Sequence, residues 1–193
     1  MRSKESTVIK FLIEHKNEEL NILAISKSMK MDYKNIYSII RRLEKLGLVK
    51  IEHFGQSNRI KLSKLIHPLI FEAEFNRRKE ILKNKNLAVM LNSFKREIKS
   101  KLYVLLLFGS YAKKTQTESS DIDLMFICAD GLEDSFEKEV NRVSSSLPLQ
   151  VHALVFSESQ FNEMINAKES NVGQEALNNN IILYGIEQYY GMT

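Results

Sequence analysis

Apolar residues near the start of the chain recur at helical spacing. Val8, Ile9, Leu12 and Ile13 fall on one face of a first helix. A second, shorter helix is predicted near residues 22–29. The chain therefore opens with two short amphipathic helices.

A third helix is predicted between Asp32, a plausible N-cap, and Gly47, a natural stop. Its apolar stripe consists of Ile36, Ile39, Ile40, Leu43 and Leu46. The opposite face is polar with one aromatic side chain, and it carries Lys34, Asn35, Tyr37, Ser38, Arg41, Arg42 and Lys45.

Two alternating stretches, residues 48–54 and 59–62, surround the polar turn Gly55-Gln56-Ser57-Asn58 and predict a hairpin. Three helices followed by a hairpin resemble the winged helix-turn-helix of small prokaryotic transcription regulators. The resemblance implies double-stranded DNA as a partner, with the third helix in the major groove. It also implies that Arg59, at the wing tip, meets phosphate or the minor groove. The alternatives are a merely solvated basic face and a protein-docking module.

A glycine-free, strongly helix-forming segment follows Pro68 and extends to Lys99. It predicts one long helix or two shorter ones, whose apolar residues could cover a second domain or pair with another subunit. A homodimer through these helices would suit DNA binding, because two half-sites need two recognition helices.

The second half begins with an apolar run over residues 101–108, which predicts a buried strand that ends at Gly109. Gly109 permits close approach of another group, and Ser110 is expected to be the N-cap of a short helix. Lys113 and Lys114 add positive charge nearby. The turn is a candidate phosphate site, although Gly-Ser is also common in ordinary loops.

A second strand is predicted from Asp121 to Cys128. Because strand side chains alternate, Asp121 and Asp123 should share one face while Ile122 and Leu124 point into the core. Two neighbouring carboxylates favour a cation between them, and hard oxygen ligands suit Mg²⁺ or Mn²⁺. The alternative is a solvated loop edge.

Residues 107–113 and 120–124, with the polar loop between them, resemble the signature of the minimal nucleotidyltransferases of the DNA polymerase β-like superfamily. The resemblance covers about residues 95–190. It implies a mixed sheet with flanking helices and transfer of a nucleoside monophosphate from an NTP, with ATP the first candidate, to an acceptor hydroxyl. Gly109 and Ser110 would hold the triphosphate. Asp121 and Asp123 would hold the metals.

The chain departs from the family pattern in two places. Family members often carry arginine after the Gly-Ser, whereas Tyr111 stands here, followed by lysines. Active members also place a third carboxylate on a later strand, and in the best candidate strand, residues 149–156, that position holds His152. Imidazole is a poor Mg²⁺ ligand but acceptable to Mn²⁺, and His152 could instead act as a base.

Charge divides the chain into three parts. Residues 1–65 carry a net charge of +7, residues 66–101 of +5 and residues 102–193 of −8. We therefore predict an α+β protein with a winged helix domain at 1–65, a helical linker at 66–100 and a nucleotidyltransferase-like domain at 101–193. The single cysteine, Cys128, is expected to be buried. With no signal peptide and no membrane-spanning run, we expect a cytoplasmic protein without a membrane partner.

Three functions are compatible with these patterns. The protein could be a metal-dependent nucleotidyltransferase with a targeting or autoregulatory DNA-binding domain, which is the interpretation we favour. It could be a transcription regulator whose inactive transferase domain senses a nucleotide. It could also be the antitoxin of a small helical toxin, because minimal nucleotidyltransferases often act in such pairs.

Overall fold

The computed structural model describes residues 3–54, 57–63 and 65–193. The chain divides into two compact units, Met1–Asn76 and Arg77–Thr193, each of which is described separately.

The first unit contains helices α1 (Lys4–Glu14), α2 (Ile22–Met29) and α3 (Tyr33–Lys45), followed by strands β1 (Val49–Phe54) and β2 (Ser57–Leu62). The two strands pair antiparallel. Apolar residues on one face of each helix form the core, as the helical spacing predicted. This element order is that of a winged helix-turn-helix, so the predicted fold class is confirmed for this unit.

Helix α3 has the predicted ends. The Asp32 side chain accepts hydrogen bonds from the backbone N–H groups of Lys34 and Asn35, at 2.9 and 3.2 Å. Gly47 adopts φ +71°, and the Leu48 N–H donates to the Leu43 carbonyl, which closes a Schellman motif.

The end of α3 and the hairpin turn differ from the prediction. Leu46 was assigned to the apolar stripe of α3, but it is 51% exposed because the helix ends before it. Ser57 begins β2 and pairs with Phe54, so the predicted turn is shorter than four residues. Its first two residues, Gly55 and Gln56, lie outside the described residues.

The segment after Pro68 forms two helices, α4 (Pro68–Ile81) and α5 (Lys85–Glu97), which Asn84 separates by capping α5. The boundary between the two compact units falls within α4. The apolar stripe of α5 is buried in the core of the second unit, and it consists of Leu87, Met90, Leu91 and Phe94. The sequence predicted that these apolar residues would cover a second domain or pair with another subunit, and in the structure they cover the sheet of the second unit.

The sheet of the second unit has four strands in the spatial order β5 (Val151–Ser157), β4 (Ile122–Cys128), β3 (Tyr103–Leu107) and β6 (Ile181–Tyr184). Strand β3 lies antiparallel to β4 and to β6. Strand β5 lies parallel to β4. This is the mixed sheet that the resemblance implied.

Helices cover both faces of this sheet. Helix α5 and α7 (Glu133–Ser145) pack on one face, and α8 (Glu158–Asn166), α9 (Val172–Asn178) and α10 (Ile186–Met192) pack on the other. The short helix α6 (Gly109–Lys113) follows β3 directly. Among the described residues, no helix is both long and apolar enough to span a bilayer.

Candidate functional site

The turn after β3 packs closely against the Asp123 side chain of β4. Gly109 adopts φ +62°, and a Cβ added to it would overlap Oδ2 of Asp123 and lie 2.9 Å from its Cγ. The backbone makes a second contact, because the Phe108 N–H donates to the Asp123 carbonyl at 3.0 Å. Only glycine fits here, since any side chain would displace the carboxylate.

Ser110 does not have the predicted capping role. Helix α6 begins at Gly109, Phe108 occupies the N-cap position, and no side chain caps the helix. The prediction failed because the glycine itself enters the helix, so that Ser110 is its second residue. The first N–H groups of α6 have no acceptor within the helix, and Gly109 at its start lies against the Asp123 carboxylate.

The two lysines after the turn have different surroundings. The Lys113 ammonium forms an exposed ion pair with Glu175 of α9, with a 2.8 Å separation between Nζ and Oε1. Lys114 ends α6 in the left-handed conformation, at φ 58°. Sequence analysis missed Glu175, because nothing in the chain between residues 113 and 175 indicates that α9 reaches this turn.

The aspartates lie where β4 begins. Asp121 is exposed and immediately precedes the strand, whereas the Asp123 side chain is 27% exposed. Ile122 and Leu124 are buried in the core cluster that includes α5 and α7, as the alternation predicted. Asp123 lies on the opposite face of the strand, which it shares with Met125 and Ile127 of the other core cluster.

His152 stands beside Asp123 in the register of the parallel strands. Its Nδ1 lies 3.3 Å from Oδ1 of Asp123, and its side chain is 60% exposed. The strand predicted to carry the third family position is therefore next to the aspartate strand, and its residue there is a solvent-accessible imidazole. We call Gly109, Ser110, Asp121, Asp123 and His152 together the turn–aspartate site.

The donor atoms of this site suit a cation that arrives with a ligand. Within the described residues, no group of three or more His, Cys, Asp or Glu side chains is arranged to hold a metal by itself. Mg²⁺ in nucleotide sites is commonly bound by one or two carboxylates, and phosphate oxygens and water complete its shell. Asp121 and Asp123 supply two carboxylates, which is the number that this kind of binding uses.

A carboxylate at the far end of β4 provides a contrast. Asp130 accepts hydrogen bonds from the Ser159 backbone N–H at 3.0 Å and from its hydroxyl at 2.8 Å, and these bonds lower the Asp130 pKa. This carboxylate fixes the start of α8.

Cys128 is buried as predicted, and burial raises the pKa of its thiol.

The exposed side of α3 is the second candidate site. All seven residues predicted for the polar face of this helix are exposed, Lys45 included, and we call the other six the α3 face: Lys34, Asn35, Tyr37, Ser38, Arg41 and Arg42. Tyr33, which sequence analysis did not select, stacks on Tyr37 with ring centroids 6.4 Å apart. The Arg41 guanidinium lies 6.0 Å from the Tyr37 ring centroid. Spacing by four residues would have indicated this aromatic and cationic row.

The two arginines of this face differ in their partners. Arg41 pairs with Glu44 of the same helix at 2.6 Å, whereas Arg42 pairs with Glu5 of α1 at 2.8 Å.

Arg59 is not at the wing tip. It lies two residues beyond Ser57, inside β2, and its guanidinium pairs with Glu19 at 3.1 Å.

Residues 90–189 match the family model described as Polymerase beta, Nucleotidyltransferase. The match covers half of the chain, and the protein belongs to this family. No curated protein sequence matches the chain significantly.

Three solved structures show weak overall similarity. A chain from the crystal structure of a toxin-antitoxin with AMP-PNP is 24% identical in sequence. The alignment covers 56% of the present chain and 77% of the chain in that structure, and the TM-score is 0.37. MepR, a transcription regulator of the Staphylococcus aureus multidrug efflux pump MepA, is 20% identical, with coverage of 47% and 77% and a TM-score of 0.33. The archaeal chromatin protein TrmBL2 is 16% identical, with coverage of 86% and 73% and a TM-score of 0.22.

Proposed function

We propose that the second unit binds an NTP with a divalent cation at the turn–aspartate site and transfers its nucleoside monophosphate to an acceptor hydroxyl. The observation that carries this proposal is the contact between Gly109 and the Asp123 carboxylate. It brings the start of α6, whose first N–H groups have no acceptor within the helix, next to a carboxylate on β4. Membership of the nucleotidyltransferase family supports the same conclusion.

Each residue has a proposed part in this chemistry. Asp121 and Asp123 hold Mg²⁺ or Mn²⁺, which would shield and polarise the phosphates when bound. Gly109 and Ser110 bind the triphosphate through backbone N–H groups and the Ser110 hydroxyl, and Lys113 and Lys114 attract it.

His152 is the candidate for accepting the proton of the attacking hydroxyl. Its contact with Oδ1 of Asp123 orients the ring through Nδ1, and its exposed position leaves the other nitrogen accessible to an acceptor.

The test is transfer of label from α-phosphate-labelled ATP, and from the other NTPs, to components of a cell extract with Mg²⁺ or Mn²⁺. Wild-type protein should label a product, and Asp121→Asn should not. Asp134→Asn, which removes an exposed carboxylate from α7, is the matched control and should act like wild type. Equal labelling by wild type and Asp121→Asn would refute the site.

A second function, nucleotide sensing without turnover, is favoured by the imidazole at the third family position. In that case the site would bind Mg²⁺ and NTP, yet no product would be labelled by wild type. An antitoxin role rests on the family resemblance alone, and co-purification of a small helical protein would support it.

For the first unit we propose binding of double-stranded DNA through the α3 face. The support is an exposed helix face with two arginines, one lysine, polar donors and stacked tyrosines, in a unit of basic composition. The test is the salt dependence of DNA affinity. Neutralising Lys34 and Arg41 to glutamine should weaken binding and flatten the slope, whereas Lys138→Gln on α7 should do neither.

A further inference from the structure

Strand β5 lies at one edge of the four-stranded sheet and pairs in parallel with β4. The Ile122 N–H donates to the Gln150 carbonyl at 2.8 Å, which fixes which residues of β5 bond to β4. Because the backbone groups of successive strand residues point to alternate sides, those residues are His152, Leu154 and Phe156. The backbone groups that point away from the sheet belong to Val151, Ala153 and Val155.

These outward groups are available for pairing. In the part of the chain that the structure describes, none of the six N–H and C=O groups makes a hydrogen bond. A row of such groups is a template for a further strand. The seven residues of β5 pair with β4 in continuous register and include no proline, lysine or bulge that would oppose an added strand.

The opposite edge of the sheet is protected. Strand β6 has only four residues, and its register against β3 shifts beside Leu105. The Leu183 carbonyl of β6 also accepts a hydrogen bond from the Arg78 guanidinium at 3.1 Å. Short length, irregular register and covering groups all oppose further pairing, so β5 is the edge that is open to another strand.

The chain around β4 and β5 carries acidic charge alone. Residues 115–137 contain seven acidic residues, residues 143–167 contain two, and neither stretch contains lysine or arginine. A polypeptide that lies along β5 therefore meets a negative field, which favours basic side chains.

Carboxylates lie near both ends of this edge. Burial is the main cause of the raised pKa of the Cys128 thiol at the end of β4, and nearby carboxylates raise it further. These carboxylates belong to Glu133, Asp130 and Glu158. At the other end, the start of β5 pairs with the start of β4, which holds the two aspartates of the turn–aspartate site.

We propose that the β5 edge binds an extended polypeptide segment with basic residues at its ends, as an added antiparallel strand. The outward groups of Val151, Ala153 and Val155 would bond to its backbone, and its basic side chains would reach the carboxylates at the two ends. The segment residue opposite His152 would lie beside the turn–aspartate site, since directly opposed side chains are about 4.5–5.5 Å apart. This binding does not depend on nucleotide transfer, so it stands apart from the proposed function.

A second copy of β5 fits the same edge less well. Antiparallel pairing of two copies would bring the carboxylates at the end of one β5 to the aspartates at the start of the other. Like charges would then meet at both ends of the shared edge, which disfavours that pairing.

The experiment measures amide hydrogen exchange of the full chain by NMR. The probe is a capped seven-residue peptide of alternating threonine and valine with an arginine at each end. It should slow exchange at the amides of Val151, Ala153 and Val155 by at least about tenfold, because they gain acceptors. The alternate amides of β5, already bonded to β4, should change little. The same peptide with glutamate at each end should bind at least about tenfold more weakly.

Two variants address the backbone and the charge separately. Ala153→Pro removes one outward N–H without removing a bond to β4, and it should weaken peptide binding at least about tenfold. Glu158→Gln should weaken it a few-fold. Glu187→Gln removes an exposed carboxylate from α10, which packs on β3 and β6, and it should bind the peptide as wild type does. Spectra of the free variants verify their folds.

Three results would overturn the proposal. Unchanged exchange at the three outward amides with up to about 1 mM arginine peptide would mean that the edge accepts no strand. Equal binding of the arginine and glutamate peptides would mean that charge has no part. A dimeric free protein whose outward amides are already protected, and which Ala153→Pro makes monomeric, would mean that a second copy occupies the edge.

Discussion

The α3 face and the turn–aspartate site differ in how far apart along the chain their residues lie. The α3 face comes from a single helix, residues 34–42, whose ends are set by Asp32 and Gly47. The turn–aspartate site joins Gly109, Asp123 and His152, which come together only through the pairing of β3, β4 and β5. Changes near the first should therefore act locally, whereas changes near the second should disturb a tertiary arrangement.

The largest predicted effect is that of Gly109→Ala. The new Cβ would overlap the Asp123 carboxylate, and the residue would also have to keep a positive φ. We expect a loss of more than about 2 kcal/mol in the free energy of unfolding, together with loss of NTP binding. Chemical denaturation measures the first quantity.

Gly131→Ala is the matched control for this change. Gly131 has φ +81°, but a Cβ there would meet no atom within 4 Å among the described residues. It should cost about 1 kcal/mol, which is the backbone strain alone. Equal costs for the two variants would show that Asp123 does not press on the turn.

The next effect is that of Asp32→Ala, which removes the cap of α3. Two backbone N–H groups would lose their acceptor, so the first unit should lose about 1 kcal/mol of stability. Asp32→Asn should retain most of it, because asparagine also caps well. A loss of stability that is the same for both variants would indicate that the charge, not the cap, is responsible.

A smaller difference should separate Arg41 from Arg42. Arg41→Ala should weaken DNA binding a few-fold and lower the salt slope, because its local partners Tyr37 and Glu44 leave it on the exposed face. Arg41→Ala would remove an exposed ion pair within α3, worth about 0.2–0.5 kcal/mol of stability, whereas Arg42→Ala would remove the exposed ion pair with Glu5 of α1, worth up to about 1 kcal/mol. DNA titrations at several salt concentrations, together with thermal unfolding, measure both effects. Identical behaviour of the two variants in both measurements would contradict this distinction.

The smallest effect concerns Glu175, which pairs with Lys113 beside the turn. If Lys113 attracts the triphosphate, Glu175→Gln should release the lysine and strengthen NTP binding by up to about fivefold, the usual range for an exposed pair. Glu169→Gln removes an exposed carboxylate from the segment that precedes α9 and should leave the affinity unchanged. Weaker NTP binding in Glu175→Gln would mean that the pair helps to build the site.

The sequence predicted most of the fold because its signals are local. Apolar spacing gave the helices of the first unit, the Asp32 cap and the Gly47 stop, and alternation placed Ile122 and Leu124 in the core. The predictions that Leu46 is buried and that Arg59 lies at the wing tip were wrong, because a helix end or a hairpin turn can shift by one or two residues without changing the pattern of apolar and polar residues. The contacts of Glu175 with Lys113 and of Glu5 with Arg42 could not be predicted, because they depend on tertiary packing.

The most direct test of the central claim is equilibrium binding of ATP in the presence and absence of Mg²⁺ or Mn²⁺, measured by calorimetry. The double variant is Asp121→Asn with Asp123→Asn, which keeps side-chain shape, and Asp134→Asn with Glu137→Gln, which removes two exposed carboxylates from α7, is the charge-matched control. Wild type and control should bind ATP only with the metal, and the double variant should lose at least about tenfold in affinity. Metal-dependent binding that survives in a folded double variant would contradict the assignment of the turn–aspartate site.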